Sequence, residues 1–303
     1  MYMNEILKTI RVDRSNIKEN SLNAYVSNIN KVFKEVFNND IDVKHFNQFK
    51  KVHDYAETLT PATRKNIIIA IIILLKAYKT PVRVKNKYQK YFDELALEYE
   101  NNANKQLKSE KDEKNWITKE EIDKRLQDLE KQISKMNMDD LSKNDKDIIQ
   151  QHLVVSLYIG EHIPPMRNDY AGMRISRDDL KLENYINMET KEIVLNQYKT
   201  DKTYGQKKIT IPPYIYDLMK RWFKYNESGF LLVNIKAFEP MTKNGLTKYI
   251  YKIFKPRKVS TTILRKVYLS TKYPVIYNRK DMKDDAYVMG HSIDTQQGVY
   301  TKK

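Results

Sequence analysis

Met289-Gly290-His291-Ser292-Ile293-Asp294-Thr295-Gln296-Gln297-Gly298-Val299-Tyr300 is the stretch on which the reading of this sequence turns. It sets an imidazole, His291, nine positions ahead of a phenol, Tyr300. With 22 tyrosines in 303 residues that interval alone is unremarkable, and the Gly-His-Ser context is what singles it out. Cysteine is absent, which excludes disulfides, zinc–thiolate sites and a thiol nucleophile, and suits a reducing intracellular compartment. Covalent chemistry therefore has to come from other side chains.

Three segments upstream carry residues that fit with this stretch. Val259-Ser260-Thr261-Thr262-Ile263-Leu264-Arg265-Lys266 holds one arginine, and Leu157-Tyr158-Ile159-Gly160-Glu161-His162-Ile163-Pro164-Pro165-Met166-Arg167-Asn168-Asp169-Tyr170 holds another. Between them, Ile193 to Tyr198 and Lys208 to Ile211 are β-prone runs flanking Thr200 to Gly205, which predicts a hairpin with a polar tip containing or bordered by Lys199 and Lys202.

In this order the four segments resemble the tyrosine recombinase and integrase family: a first arginine, a hairpin lysine, a second arginine, then Gly-His-Ser with a tyrosine nine residues beyond the histidine. The Pro-Pro form of the first segment is similar to integrase-like proteins of large DNA viruses and their parasites. The resemblance implies that Tyr300 is the nucleophile, that Arg167, Arg265 and His291 bind the attacked phosphate, and that a hairpin lysine is the general acid. Lys199 matches the Lys-Thr start of many family hairpins and is preferred over Lys202, which sits nearer the tip. Three departures accompany it. Thr262 stands where the family has a histidine, Asp169 follows Arg167 by two positions instead of three, and only three residues follow Tyr300, which suggests either a truncated chain or a way of assembling other than through a C-terminal helix.

Chemistry gives an independent reason for these residue types. Attack on a phosphodiester builds negative charge on its non-bridging oxygens, which two guanidiniums can bind through several charge-assisted hydrogen bonds. A lysine with a depressed pKa can protonate the leaving oxygen, and a phenol beside such charge becomes a usable nucleophile. No cofactor, metal or ATP is expected. His45, His53, His152 and His162 lack a second ligand at zinc-site spacing and are expected to be structural or solvated.

Net charge, +16 from 55 Lys and Arg against 39 Asp and Glu, favours a polyanionic partner. The expected partner is double-stranded DNA, bound as a homo-tetramer on paired sites. No membrane is expected: residues 67–75 are too short to span one and read as a buried core helix. The segment before Arg14 is too charged for a secretory signal, so an intracellular location is expected.

Helical spacing predicts segments over about 20–37, 43–57, 60–80 and 84–107, then 118–136, 144–159, 214–225, 246–254 and 259–271. Ser21 is a candidate N-cap, Pro61 suits a first helical turn, and Thr118 with Glu121 forms a capping box. The expected fold is mainly α: a helical core-binding domain over 1–107, an exposed linker over 108–115, and a mainly helical catalytic domain with a small antiparallel sheet over 116–303. The function this implies is site-specific DNA cleavage and rejoining through a 3′-phosphotyrosine. A type IB topoisomerase-like relaxing activity, or a DNA-binding protein that has lost catalysis, are the alternatives.

Overall fold

The computed structural model describes residues 3–104, 107–273 and 279–301. The chain divides into two compact units, Met1–Lys105 and Gln106–Lys303. The first is helical: α1 (Met3–Asp13), α2 (Glu19–Phe37), a 3₁₀ turn (Val43–Asn47), α3 (Phe49–Glu57), α4 (Pro61–Ala77) and α5 (Val82–Asn104). The apolar run inside α4 is its centre, with Ile67, Ile68, Ile71 and Leu74 fully buried. Two tyrosines of α5 are also core residues. Tyr88 and Tyr91 are buried, and the Tyr88 hydroxyl donates to the Phe46 carbonyl at 2.9 Å. Helix α2 starts before Ser21, with Lys18 at its N-cap, and α1 lies in a segment for which the sequence predicted no element.

The second unit opens with a helix where a linker was expected. Ser109 and Asp112 form a capping box that starts α6 (Glu110–Asn115). Asp112 is buried and pairs with Lys266 at 2.7 Å, both side chains being 12% exposed. Lys258 N–H donates to Asn115 Oδ1 and Arg257 Nη1 to the Trp116 carbonyl, so these two basic residues serve this packing. Low apolar content had suggested exposure, but the burial here is that of paired polar groups.

Helices α7 (Lys119–Ile133) and α8 (Lys143–Tyr158) follow, each opened by a capping box, Thr118 with Glu121 and Ser142 with Asp145. Nearly all of α8 after Lys146 is buried, making it the central helix of this unit. One sheet has the order β1 (Arg174–Ile175), β2 (Tyr185–Asn187), β3 (Glu192–Leu195), β4 (Lys207–Thr210). Strands β2, β3 and β4 are antiparallel, whereas β1 runs parallel to β2, so the sheet is mixed where an antiparallel one was expected. The expected β3–β4 hairpin is present, its tip carrying the single-turn helix α9 (Asp201–Tyr204). Then come α10 (Pro213–Phe223), a two-stranded ribbon of β5 (Val233–Asn234) and β6 (Glu239–Pro240), α11 (Lys243–Ile253) and α12 (Thr261–Lys272). The chain closes with α13 (Arg279–Met289), α14 (Ile293–Thr295) and a π-helical turn over Gln296–Tyr300. Among the described residues no helix is long and apolar enough to cross a membrane.

Candidate active site

Arg265 organises the site. It lies in the second turn of α12, whose start is fixed by the Ser260 hydroxyl accepting from Ile263 N–H. Its side chain is 1% exposed. Nη1 donates to Tyr300 Oη at 2.9 Å, while Nη2 donates to the Met289 carbonyl at 3.0 Å and reaches His291 Nδ1 at 2.8 Å. The guanidinium carbon also lies 4.3 Å from the Tyr300 ring centroid. Burial depresses the Arg265 pKa to about 10, so it remains a cation at neutral pH.

His291 stacks on Tyr300, with ring centroids 4.9 Å apart and planes 21° from parallel. Burial, together with the charges of Arg265 and Arg167, drives its pKa down to about 3. The ring is therefore neutral. Because a guanidinium only donates, Nδ1 accepts from Arg265 and the proton is assigned to Nε2. That Nε2 is buried without a hydrogen-bond partner, as is Arg265 Nε. Unpaired buried donors of this kind are able to hydrogen-bond an anion.

Arg167 follows the Pro164-Pro165 break after α8. Its Nη1 donates to the carbonyls of Met289 at 3.0 Å and Gly290 at 2.8 Å. Gly290 has φ +68°, and a Cβ there would stand 3.1 Å from Arg167 Nη1 and 3.9 Å from Lys207 Nζ. Only glycine gives both the turn and the close approach. Arg167 and Arg265 thus grip the same turn, which is how residues 98 positions apart come to face one phenol.

Tyr300 is 8% exposed. Burial works to raise its pKa, but the charges of Arg265 and then Arg167, with their hydrogen bonds, outweigh it and lower the pKa overall. Asp169 is the acidic group beside these cations. Burial raises its pKa, while the charges of Lys243, Arg167, Arg265 and Lys207 oppose this.

Thr262 is exposed on the first turn of α12. Lys199 and Lys202, the two expected acids, are exposed near the hairpin tip. The buried lysine of the site is one that sequence reasoning missed. Lys207, the first residue of β4, is 1% exposed, and burial followed by the charge of Arg167 lowers its pKa to about 8. A signal for it existed. Strand alternation puts Lys207 on the same face as Ile209, which is buried. Among the described residues there is no cluster of His, Cys, Asp or Glu able to hold a metal ion.

No protein-family model and no curated protein matches the sequence. Solved structures do match. The Tn1549 transposon integrase in complex with transposon right end DNA aligns with a TM-score of 0.59 at 16% identity, covering 100% of this chain and 96% of that one. The same integrase in complex with a circular intermediate DNA gives 0.55 at 15% identity, again over 100% and 96%. XerA recombinase gives 0.42 at 13% identity, over 99% and 94%. The chain has a tyrosine recombinase-like fold.

Proposed function

We propose that this protein cleaves and rejoins DNA at specific sites through a covalent 3′-phosphotyrosine at Tyr300, as a recombinase or integrase. The observation that carries this reading is a buried phenol made more acidic by two arginines, beside an imidazole N–H and a guanidinium N–H that lack partners. Such a cluster supplies what a phosphodiester needs. Arg167, Arg265 and the Nε2–H of His291 stabilise the non-bridging oxygens as their charge grows. Tyr300 Oη forms the bond to phosphorus as the bond to the 5′ oxygen breaks. Lys207 gives the departing oxygen its proton, a role its pKa of about 8 suits better than an ordinary lysine value. Reversal by a 5′ hydroxyl from another strand rejoins the backbone without metal or ATP. Both DNA complexes of the Tn1549 integrase are consistent with this partner, and a tetramer on paired sites is the assembly that strand exchange would require. Integration of a mobile or viral genome is the setting that the Pro164-Pro165 segment favours.

The test begins by selecting bound duplexes from a random pool. A nicked version of the selected site should trap an adduct resistant to denaturation with the wild-type protein and none with Tyr300→Phe. Failure of every selected duplex to give the adduct would overturn the reading. One feature favours a second reading, a DNA-binding protein without catalysis. Thr262 offers no imidazole to take the Tyr300 proton. Site-specific, salt-sensitive binding without adduct would support that alternative.

A further inference from the structure

Lys207 is surrounded in an unusual way. Its Nζ lies 4.5 Å from the ring centroid of Tyr287, 4.8 Å from that of Tyr198 and 5.1 Å from that of Tyr204. The three rings come from separate segments: α13, the loop after β3, and α9 at the hairpin tip. Nζ also donates to the Tyr287 carbonyl at 2.5 Å. Among the described residues Lys207 makes no ion pair. A buried ammonium is thus held by one carbonyl and three π faces, an environment that supports a cation without neutralising it.

The outer rings need an explanation of their own. Tyr204 and Tyr287 are 46% and 45% exposed, among the more exposed large hydrophobic side chains of this unit. Covering Lys207 gives each a task. The cage borders a cavity of about 180 Å³ lined also by His291, Ser292 and Lys283, so Lys207 and His291 line one recess.

We propose that Tyr198, Tyr204 and Tyr287 form an aromatic cage that positions Lys207 and shields its ammonium, directing its proton to the departing 5′ oxygen and not to solvent. This rests on the reading of Lys207 as the general acid. The step balances simply. Tyr300 Oη, its proton passed to water, forms the bond to phosphorus as the P–O5′ electron pair moves to oxygen, which takes a proton from Nζ and leaves a neutral amine. Charged or titratable groups facing Nζ are Arg167, Asp169 and His291 besides the three tyrosines, and exposed Lys283 lines the adjoining cavity. Burial is the largest influence on Lys207 and outweighs the rings' attraction for the cation, so admitting water by opening the cage should return it toward an ordinary lysine, a weaker acid.

The experiment compares four proteins: wild type, Lys207→Ala, the pair Tyr204→Leu/Tyr287→Leu, and the pair Tyr204→Phe/Tyr287→Phe. Each is given the selected duplex with an ordinary cleaved phosphate and with sulfur at the bridging 5′ position, whose thiolate leaves without protonation. Lys207→Ala should cleave the oxygen substrate at least about 10²-fold more slowly and recover on sulfur. The leucine pair should lose about tenfold or more on oxygen and recover on sulfur, with its alkaline limb shifted above pH 8 toward ~10.4. The phenylalanine pair keeps the rings and should restore the rate. Equal loss by the leucine pair on both substrates, or an unmoved alkaline limb, overturns the cage while Lys207→Ala is still rescued by sulfur. If Lys207→Ala is not rescued, the acid assignment falls and the cage role falls with it.

Discussion

At Arg265 one guanidinium meets three acceptors at once: Tyr300 Oη, the Met289 carbonyl and His291 Nδ1. A lysine keeps the charge but not the planar fork that lets these bonds form together. Arg265→Lys should therefore reduce single-turnover adduct formation by about 10²–10³-fold, the size expected for losing a preorganised donor to the transition state. Binding of the selected duplex, measured in parallel, should change far less. His291 gives a second expectation at this scale. Its folded pKa, about 3, lies below the ordinary 6.5, so the unfolded chain binds a proton between those values that the folded chain does not. The neutral ring's contribution to stability is complete above pH 6.5 and is lost as pH falls toward 3. Melting temperature should drop across pH 6.5 to 4, and His291→Asn should flatten that slope. That Arg167, Arg265, His291 and Tyr300 come together was legible because motif order survives as residue identity. Lys207 was not, because neighbouring lysines compete for attention in a basic chain and only its strand register distinguishes it.

At the scale of elements, what the sequence makes visible is apolar periodicity and capping. Helix α4 and the capping box at Thr118 were readable on those grounds. Helix α6 was not, since its contribution is a buried Asp112–Lys266 pair that composition reads as exposed charge. That pair ties α6 to α12 one residue beyond Arg265, so Asp112→Ala should reach the site. Removing one partner of a largely buried pair costs ~3–5 kcal/mol, and the lower part of that range is expected here because both groups keep some exposure. Chemical denaturation should show that loss, together with slower adduct formation. The Gly290 turn is the shorter element that joins the two arginines. Gly290→Ala would strain a left-handed residue by about 1–2 kcal/mol and press a methyl on Arg167 Nη1. Its stability cost should be modest and its loss of cleavage large, a combination separating site geometry from folding. Gly160 is the contrasting case. A Cβ there would come 2.1 Å from a Tyr268 ring carbon in backbone at φ +82°, so Gly160→Ala should impair folding itself.

For the molecule as a whole, a net charge of +16 and a cationic site lead to the same expectation by different routes. Charge spread over many exposed lysines and arginines would displace counterions along the duplex, giving affinity with a steep salt dependence and little sequence information. On the proposed reading the group of half-buried Arg167 with buried Arg265, Lys207 and Tyr300 would concern one phosphate and would add little to that slope. The two contributions should therefore separate. Binding of the selected duplex should weaken by about 10³–10⁵-fold between 50 and 200 mM salt if about 6–10 phosphates are neutralised. Tyr300→Phe should show the same slope and an affinity close to wild type, while forming no adduct, because it removes only an oxygen whose bond to phosphorus is made after binding. Parallel slopes with the adduct confined to the tyrosine protein would assign affinity to the surface and chemistry to the buried cluster. A Tyr300→Phe protein with a much shallower slope would place the buried cluster in binding instead.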